Sequence, residues 1–242
     1  MKTVPIHLPW SLVMLGAMLL PAARAQAPAP APAAPIPLHR EAIEWSDAWY
    51  ANADKSDKPA VLIIGDSISK GYGGVVEQGL AGNAYMARLS TSRGVCDPCL
   101  LDELRAMVRN HRFAVVHFNN GLHGIAYTAA EYEAGYRKVL EVLLTEGQGA
   151  KLVLAGSTFV LPGFKGWMDD AANRTLIDSR NAIVKRLAAE AKLPFNDLCA
   201  VTDGHPEYYN NSDKIHFNAT GYAQLGAKVA AAIQDALRKQ PD

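Results

Sequence analysis

The chain has 242 residues, and its 24 lysines and arginines balance 24 aspartates and glutamates, so that the formal net charge is zero. This length allows one good-sized domain or two small ones. Because the charges balance and the sequence contains no long basic run, nucleic acid is excluded as an expected partner.

Residues 1–25 have the pattern of a secretory signal peptide. Lys2 supplies a short positive start, residues 8–20 are mostly apolar, and Ala23-Arg24-Ala25 is an A-x-A cleavage site. The apolar stretch is short for a membrane span, although an uncleaved anchor is the alternative interpretation. We therefore expect a secreted or periplasmic protein, without stable membrane insertion after signal cleavage.

Residues 26–37 consist almost entirely of alanine and proline. This composition is typical of a semi-rigid, extended spacer that has no core of its own. The folded domain is therefore predicted over residues 38–242, a length sufficient for a single well-buried core.

The three cysteines are Cys96, Cys99 and Cys199. In an exported protein, the spacing of Cys96 and Cys99 suits a small local disulfide, which would leave Cys199 free. A redox role is disfavoured, because a redox CxxC usually opens a helix after the first strand and this one does not. Further cysteine or histidine ligands at close spacing are lacking, so the sequence does not indicate a zinc site here.

Strand patterns and helix patterns alternate along the domain. The predicted strands are residues 61–64, 83–90, 113–118, 152–155 and 194–198. The predicted helices begin after Ser67, cover about 100–110, follow a capping box at Thr128 and Glu131, cover about 173–192, and follow Thr220 as the last N-cap. This alternation, without an internal repeat, predicts a three-layer α/β/α sandwich with a parallel five-stranded sheet.

The first predicted strand runs directly into Gly65-Asp66-Ser67. A serine at the carboxyl end of a strand lies where α/β sheets bind ligands, and the N–H groups of a following helix point at whatever its hydroxyl attacks. The alternative is a strand followed by a serine-capped helix. Asp66 is expected to bond the loop backbone, and the glycine-rich residues 71–82 are expected to cover one wall of the site.

A second motif, Asp213-Lys214-Ile215-His216, stands just before the last predicted helix. A histidine takes a proton from a serine when its ring is held in one tautomer, and a carboxylate on its other nitrogen does this. Asp213 lies three residues ahead of His216, close enough to reach that nitrogen. His117, inside an apolar strand, is instead interpreted as a core histidine with its hydrogen bonds satisfied.

Together, Gly65-Asp66-Ser67-Ile68-Ser69 and Asp213-x-x-His216 resemble the first and last conserved blocks of the SGNH, or GDSL, hydrolase family. The resemblance covers residues 59–238. It implies Ser67 as the nucleophile, His216 as the general base and Asp213 as its orienting partner. It further implies a flavodoxin-like sheet and the hydrolysis of small esters through an acyl-enzyme, with no metal and no cofactor.

The two middle blocks of the family match less closely. Gly94 resembles the glycine whose N–H joins that of Ser67 in the oxyanion hole. The third block usually reads Gly-x-Asn-Asp, whereas here Gly121-Leu122-His123 occupies its place, as in a subset of the family. The side-chain donor is predicted to be His123 or Asn120, with Asn119 as the other possibility.

We predict from these motifs an exported serine esterase that acts on short acyl groups, with acetyl groups on a carbohydrate as one candidate substrate. One alternative is an acyltransferase or a lipase or thioesterase on the same scaffold. A second is an inactive envelope protein that binds glycans, with Phe159, Phe164 and Trp167 as its platform rather than as apolar packing.

Overall fold

The computed structural model describes Met1 and residues 35–239, and from Ile36 onward the chain forms one compact unit. Beyond Met1, the predicted signal peptide lies outside the described residues, as does the predicted spacer up to residue 34. Both therefore stay predictions. Among the helices that the structure describes, none combines the length and the apolar character needed to cross a membrane.

The core of the domain is one mixed sheet of six strands in the order β1-β3-β2-β4-β5-β6. Strands β2 to β6 run parallel in the flavodoxin-like order, which confirms the predicted architecture, whereas β1 pairs antiparallel with β3 at the edge. The strands are β1 Ser46–Tyr50, β2 Ala60–Gly65, β3 Tyr85–Thr91, β4 Val115–Asn119, β5 Lys151–Ala155 and β6 Phe195–Asn196.

The prediction of a purely parallel sheet of five strands was therefore wrong at one edge. Strand β1 was missed because its sequence, Ser46-Asp47-Ala48-Trp49-Tyr50, shows neither an apolar run nor a regular alternation. Its side chains are exposed or half-buried, as expected of an edge strand whose stability comes from its pairing with β3.

Helices cover both faces of the sheet. Helices α1 and α6 pack together on one face, and α2, α3 and α4 cover the other. The helices are α1 Ser67–Leu80, α2 Pro98–Asn110, α3 Ala129–Glu146, α4 Asp170–Glu190, the short α5 Cys199–Thr202, a 3₁₀ turn Pro206–Tyr208, and α6 Ala219–Arg238.

Two predicted helix starts have different outcomes. At α3 the capping box is present, since Thr128 Oγ1 accepts from the N–H of Glu131 at 3.3 Å and Glu131 Oε2 accepts from the N–H of Thr128 at 2.8 Å. At α6 the predicted cap, Thr220, is wrong. Asn218 caps this helix by accepting from the N–H of Gly221 at 3.1 Å, and Thr220 lies inside the first turn.

The glycine-rich residues 71–82 are mostly part of helix α1 and do not form a loop over the site. At Gly71 the lack of a side chain serves packing, because a Cβ there would collide with the ring of Tyr222 on α6. Small residues thus let α1 and α6 approach each other closely, and this pair of helices carries Ser67 at one of its ends.

The local disulfide suggested by the spacing of the cysteines is not formed. All three cysteines are free thiols within the part of the chain that the structure describes. Cys96 instead donates through Sγ to the carbonyl of Glu131 at 3.2 Å, while Cys99 lies in the first turn of α2.

Candidate active site

Ser67 stands at the junction of strand β2 and helix α1. The preceding residue, Asp66, is buried and caps the helix by accepting from the N–H of Ile68 at 2.9 Å, in the backbone-bonding role predicted for it. As the first residue of α1, Ser67 has a backbone N–H without a partner inside the helix. Its hydroxyl and its N–H therefore stand at the positive end of the helix dipole.

His216 connects Ser67 to Asp213 in a continuous chain of hydrogen bonds. The Oγ of Ser67 lies 2.7 Å from Nε2 of His216, and Nδ1 of His216 lies 2.9 Å from Oδ2 of Asp213. A carboxylate at Nδ1 requires the proton there, which leaves Nε2 as the acceptor for the serine hydroxyl. This is the arrangement of nucleophile, base and orienting acid that acyl transfer requires.

Asp213 is held in place by the backbone that follows it. Its Oδ1 accepts from the N–H of Ile215 at 3.1 Å and from the N–H of His216 at 3.0 Å. Burial alone would raise the pKa of Asp213, but these two N–H groups and the imidazole outweigh it, so the pKa lies below the usual carboxyl value. The group is therefore a carboxylate at neutral pH.

Lys214, between the acid and the base, has a left-handed backbone with φ of 62°. A non-glycine residue in this region is strained, so surrounding bonds must hold it. Its carbonyl accepts from the N–H of Leu161 at 2.8 Å, and its ammonium donates to the carbonyl of Pro162 at 3.0 Å. The loop that carries Asp213 and His216 is thus fastened to the loop after β5.

A cavity of about 290 Å³ opens in front of Ser67 and His216. It lies at the carboxyl ends of β2 and β4, where the strand order reverses and where folds of this type bind ligands. Apolar side chains form much of its wall. The lining residues are Glu41, Trp45, Asp66, Ser67, Ile68, Leu122, His123, Trp167, Ile215 and His216.

A larger cavity, of about 970 Å³, lies at the opposite ends of the strands, where β2 and β5 begin. Ala60 and Lys151, which begin strands β2 and β5, line it. None of the predicted site residues is among its lining. The chemistry-bearing side chains therefore point to the smaller cavity.

Of the four residues predicted for the oxyanion hole, Ser67 and His123 line the cavity, and Gly94 and Asn120 are not among its lining residues. A Cβ at Gly94 would lie 3.2 Å from the Cα of Gly124, so this glycine packs directly against the turn formed by residues 121–124. Asn120 donates through Nδ2 to the carbonyl of Arg93 at 2.8 Å, which ties the same two segments together.

Asn119 is not available as a donor to a ligand. Its side-chain amide donates to the carbonyls of Ala155 at 3.2 Å and Gly156 at 2.9 Å, so both of its hydrogens are used. The residue joins the ends of β4 and β5. Of the polar side chains in residues 119–123, His123 is the one that lines the cavity together with Ser67.

The turn that carries His123 rests on a buried arginine that the sequence analysis missed. Arg180 of α4 is 1% exposed. Its guanidinium donates to the carbonyls of Gly121 and His123, both at 2.8 Å, and to that of Gly124 at 2.6 Å. The signal was present, because Arg180 falls on the apolar stripe of α4, between Ile177 and Val184.

Two further lining residues, Glu41 and Trp45, precede the first predicted strand and were not singled out. The three aromatic residues proposed as a glycan platform lie in different places. Trp167 lines the cavity, and the ring of Phe164 packs edge-on against it with 4.9 Å between the ring centroids. Phe159 is buried in the core. His117 is a buried core residue as predicted, with Nε2 at 3.1 Å from Nδ2 of Asn196. The prediction that its hydrogen bonds are satisfied is wrong for Nδ1, which has no partner among the described residues.

Comparison with protein families agrees with this geometry. Residues 63–224 match the model of the GDSL-like Lipase/Acylhydrolase family. This segment contains Ser67, Gly94, His123, Asp213 and His216. No curated protein matched the chain by sequence.

Solved structures of similar fold include a GDSL-like lipase from Bacteroides thetaiotaomicron and the aryl esterase of M. smegmatis. The first is 20% identical, with a TM-score of 0.60, over 74% of this chain and 89% of its own. The second is also 20% identical, with a TM-score of 0.62, over 74% of this chain and 100% of its own. At these identities the likeness establishes the fold.

Proposed function

The chain belongs to the GDSL-like lipase/acylhydrolase family and is a carboxylic ester hydrolase, and from this premise we propose that it is an exported serine esterase for short acyl groups. Ser67, His216 and Asp213 are its proposed catalytic residues. The observation that carries the proposal is the continuous chain from Ser67 Oγ through His216 to Asp213, with links of 2.7 Å and 2.9 Å.

In the first half of the proposed reaction, Ser67 Oγ attacks the carbonyl carbon of the ester and His216 Nε2 takes the hydroxyl proton. Asp213 stabilises the imidazolium that forms. The negative charge that develops on the carbonyl oxygen is stabilised by the N–H group of Ser67 and by the side chain of His123. The N–H of Gly94, which packs against the turn that carries His123, is the proposed third donor. His216 then gives its proton to the leaving alcohol, and the acyl group stays on Ser67.

In the second half, a water attacks the acyl-Ser67 carbonyl while His216 takes one of its protons. The second tetrahedral intermediate collapses, Ser67 recovers its proton from His216, and the carboxylic acid leaves. The same donors stabilise both oxyanions. No metal or cofactor takes part in this proposed sequence.

The size and lining of the cavity support a short acyl group. Its volume of about 290 Å³ is at the low end for ligand sites, which hold drug-sized molecules at about 300–1,000 Å³. Leu122, Trp167 and Ile215 present apolar surface to a small acyl chain. The half-buried aromatic Trp45 and polar Glu41 at the same cavity are compatible with an acylated carbohydrate on the alcohol side.

Secretion or residence in the periplasm is proposed from residues 1–25, with no stable membrane insertion after cleavage. Acyl transfer, or a lipase or thioesterase activity, is the alternative on the same residues. An inactive glycan-binding protein is disfavoured, because a binding protein has no need of a serine, a histidine and an aspartate aligned in this way.

The test is hydrolysis of p-nitrophenyl acetate, butyrate and octanoate by the mature protein and by Ser67→Ala. We expect turnover that falls with acyl length and that the substitution lowers by at least about 10³-fold, as is typical when a nucleophile is removed. Ser69→Ala is the matched control, since Ser69 is buried and donates to the carbonyl of Asp66.

Equal rates for the wild type and Ser67→Ala would refute the esterase proposal. A rate that rises with acyl length would replace a short-chain esterase by a lipase or thioesterase. Product analysis with an added acyl acceptor separates hydrolysis from transfer, because transfer yields a new ester in place of the free acid.

A further inference from the structure

The segment before the first parallel strand contributes to the cavity. We call residues 36–50 the N-terminal arm. It ends in strand β1, and it is held along its length by contacts to the rest of the domain. The N–H of His39 donates to the hydroxyl of Tyr127 at 2.9 Å, and the N–H of Trp45 donates to the hydroxyl of Ser92 at 2.9 Å. The arm lies wholly before residues 63–224, which match the family.

Glu41 of the arm contacts the turn that carries His123. Its Oε1 accepts from the N–H of Gly124 at 2.7 Å and lies 3.5 Å from Nδ1 of His123. Arg180 binds three carbonyls of the same turn from the other side. The backbone of residues 121–124 is thus fixed by a carboxylate on its N–H side and by a guanidinium on its carbonyl side.

We propose that Glu41 is a positioning residue that holds His123 as an imidazolium, so that its Nε2–H is available to the oxyanion. The inference rests on the proposed esterase function and deepens it. With a carboxylate facing Nδ1, that nitrogen carries a proton, and a neutral ring would then present a bare Nε2 to the cavity. A bare nitrogen repels an oxyanion, whereas the protonated ring donates to it.

The charges around His123 favour this protonation state. Burial lowers the pKa of His123, but the carboxylates of Glu41 and Asp66 outweigh burial and the opposing charge of Arg180, so the pKa is raised above its ordinary value. The pKa of Glu41 is lowered in turn, chiefly by its contact with His123. Glu41, Asp66 and His216 are the other titratable groups that line the same cavity.

Two histidines with opposite requirements predict a bell-shaped pH profile. His216 must be neutral to accept a proton from Ser67, and this requirement is the opposite of that of His123. His123 must be charged to donate from Nε2, so kcat falls as His123 deprotonates. We assign the fall of kcat at alkaline pH to the deprotonation of His123. The charge of Glu41 sets the pH at which this fall occurs.

The experiment compares wild type, Glu41→Gln, His123→Asn and the double variant with p-nitrophenyl acetate from pH 5 to pH 10. Gln retains an oxygen for the N–H of Gly124 and removes the charge. We expect Glu41→Gln to move the alkaline fall of kcat down by about one pH unit, an effect typical of a lost ion-pair partner, with KM nearly unchanged. His123→Asn removes that fall.

In the His123→Asn background, Glu41→Gln should change kcat by less than about twofold, because the two residues then no longer interact. Glu44→Gln is the matched control on the same arm. Glu44 pairs with Arg40 and Arg93 and does not touch the turn, so its loss should leave the pH profile unmoved. An equal loss from Glu41→Gln in both backgrounds, or an unmoved alkaline fall, would overturn the proposal.

A titration of the His123 ring by nuclear magnetic resonance in Ser67→Ala separates the two proposals, since it needs no turnover. A pKa that Glu41→Gln lowers supports the pair, and an unchanged pKa overturns it. A wild type without esterase activity would refute the proposed function and with it the oxyanion role, whatever the titration gives.

Discussion

Three histidines near one end of the sheet show how surroundings decide what a side chain does. His216 is about one third exposed and lies between a serine and a carboxylate, which suits a base that exchanges protons. His123 faces a carboxylate at a cavity wall. His117, on strand β4, is fully buried and has no charged partner among the described residues. Its contribution is to stability.

Burial lowers the pKa of His117 from 6.5 to about 4. Because the pKa of the folded state lies below that of the unfolded state, the unfolded chain takes up the proton first as the pH falls. Stability from this residue is therefore complete above pH 6.5 and is lost progressively down to about pH 4, by about 2–4 kcal/mol.

We expect His117→Gln to flatten the decline of the unfolding free energy between pH 7 and pH 4.5, measured by urea denaturation. Gln retains an oxygen for the amide of Asn196, which lies 3.1 Å from the imidazole. His205→Gln is the control, since His205 is exposed and its replacement should leave the slope unchanged. Equal slopes for wild type and His117→Gln would show that protonation of His117 does not cause the loss of stability at low pH.

At the scale of elements, helix α1 both presents the proposed nucleophile and packs closely against α6. Its first turn presents Ser67, and its body packs closely on α6, whose own Gly226 faces Val75. The close approach of the two helices fixes the start of α1 relative to the loop before α6, which carries His216. Packing of glycine against side chains thus supports the distance between nucleophile and base.

Two glycine substitutions on these helices should have opposite effects on stability. A Cβ at Gly226 would lie 2.5 Å from the Cβ of Val75 and 3.2 Å from the carbonyl of Tyr72, so Gly226→Ala should destabilise by about 1–3 kcal/mol. At Gly74 of α1 a Cβ meets no described atom within 4 Å, so Gly74→Ala should stabilise by about 0.5–1 kcal/mol.

Thermal or chemical denaturation of both variants measures these shifts directly. Both variants change glycine to alanine within a helix, so both gain the same helix propensity. The difference between their free energies of unfolding therefore measures the cost of the close contact at Gly226. A Gly226→Ala variant as stable as Gly74→Ala would show that the two helices are free to move apart.

For the whole molecule, local patterns were sufficient for the parallel strands and most helices, because each has a buried face with its own periodicity. They were also sufficient to select Ser67, Asp213 and His216, since motif and position in the fold coincide. The catalytic roles stay a proposal until they are tested, as does the assignment of His123 over Asn120.

Residues whose partners lie far along the chain were not assigned to the site by such patterns. The apolar stripe of α4 indicates that Arg180 is buried, but it does not indicate which carbonyl groups Arg180 binds. Glu41 acts on Gly124, which is 83 positions away, and Arg180 acts on a turn 56 to 59 positions before it. Neither belongs to a local motif. The edge strand β1 was missed for the same reason, because its partner β3 and not its own sequence stabilises it.

Covalent trapping is the sharpest test of whether Ser67 is a nucleophile activated by His216. The mature protein is incubated with an alkyl fluorophosphonate and its intact mass and peptides are measured. We expect one phosphonyl group per chain, located on Ser67, and none on His216→Ala within the same time. An adduct on another residue, or an unmodified protein that still hydrolyses p-nitrophenyl acetate, would contradict this role of Ser67.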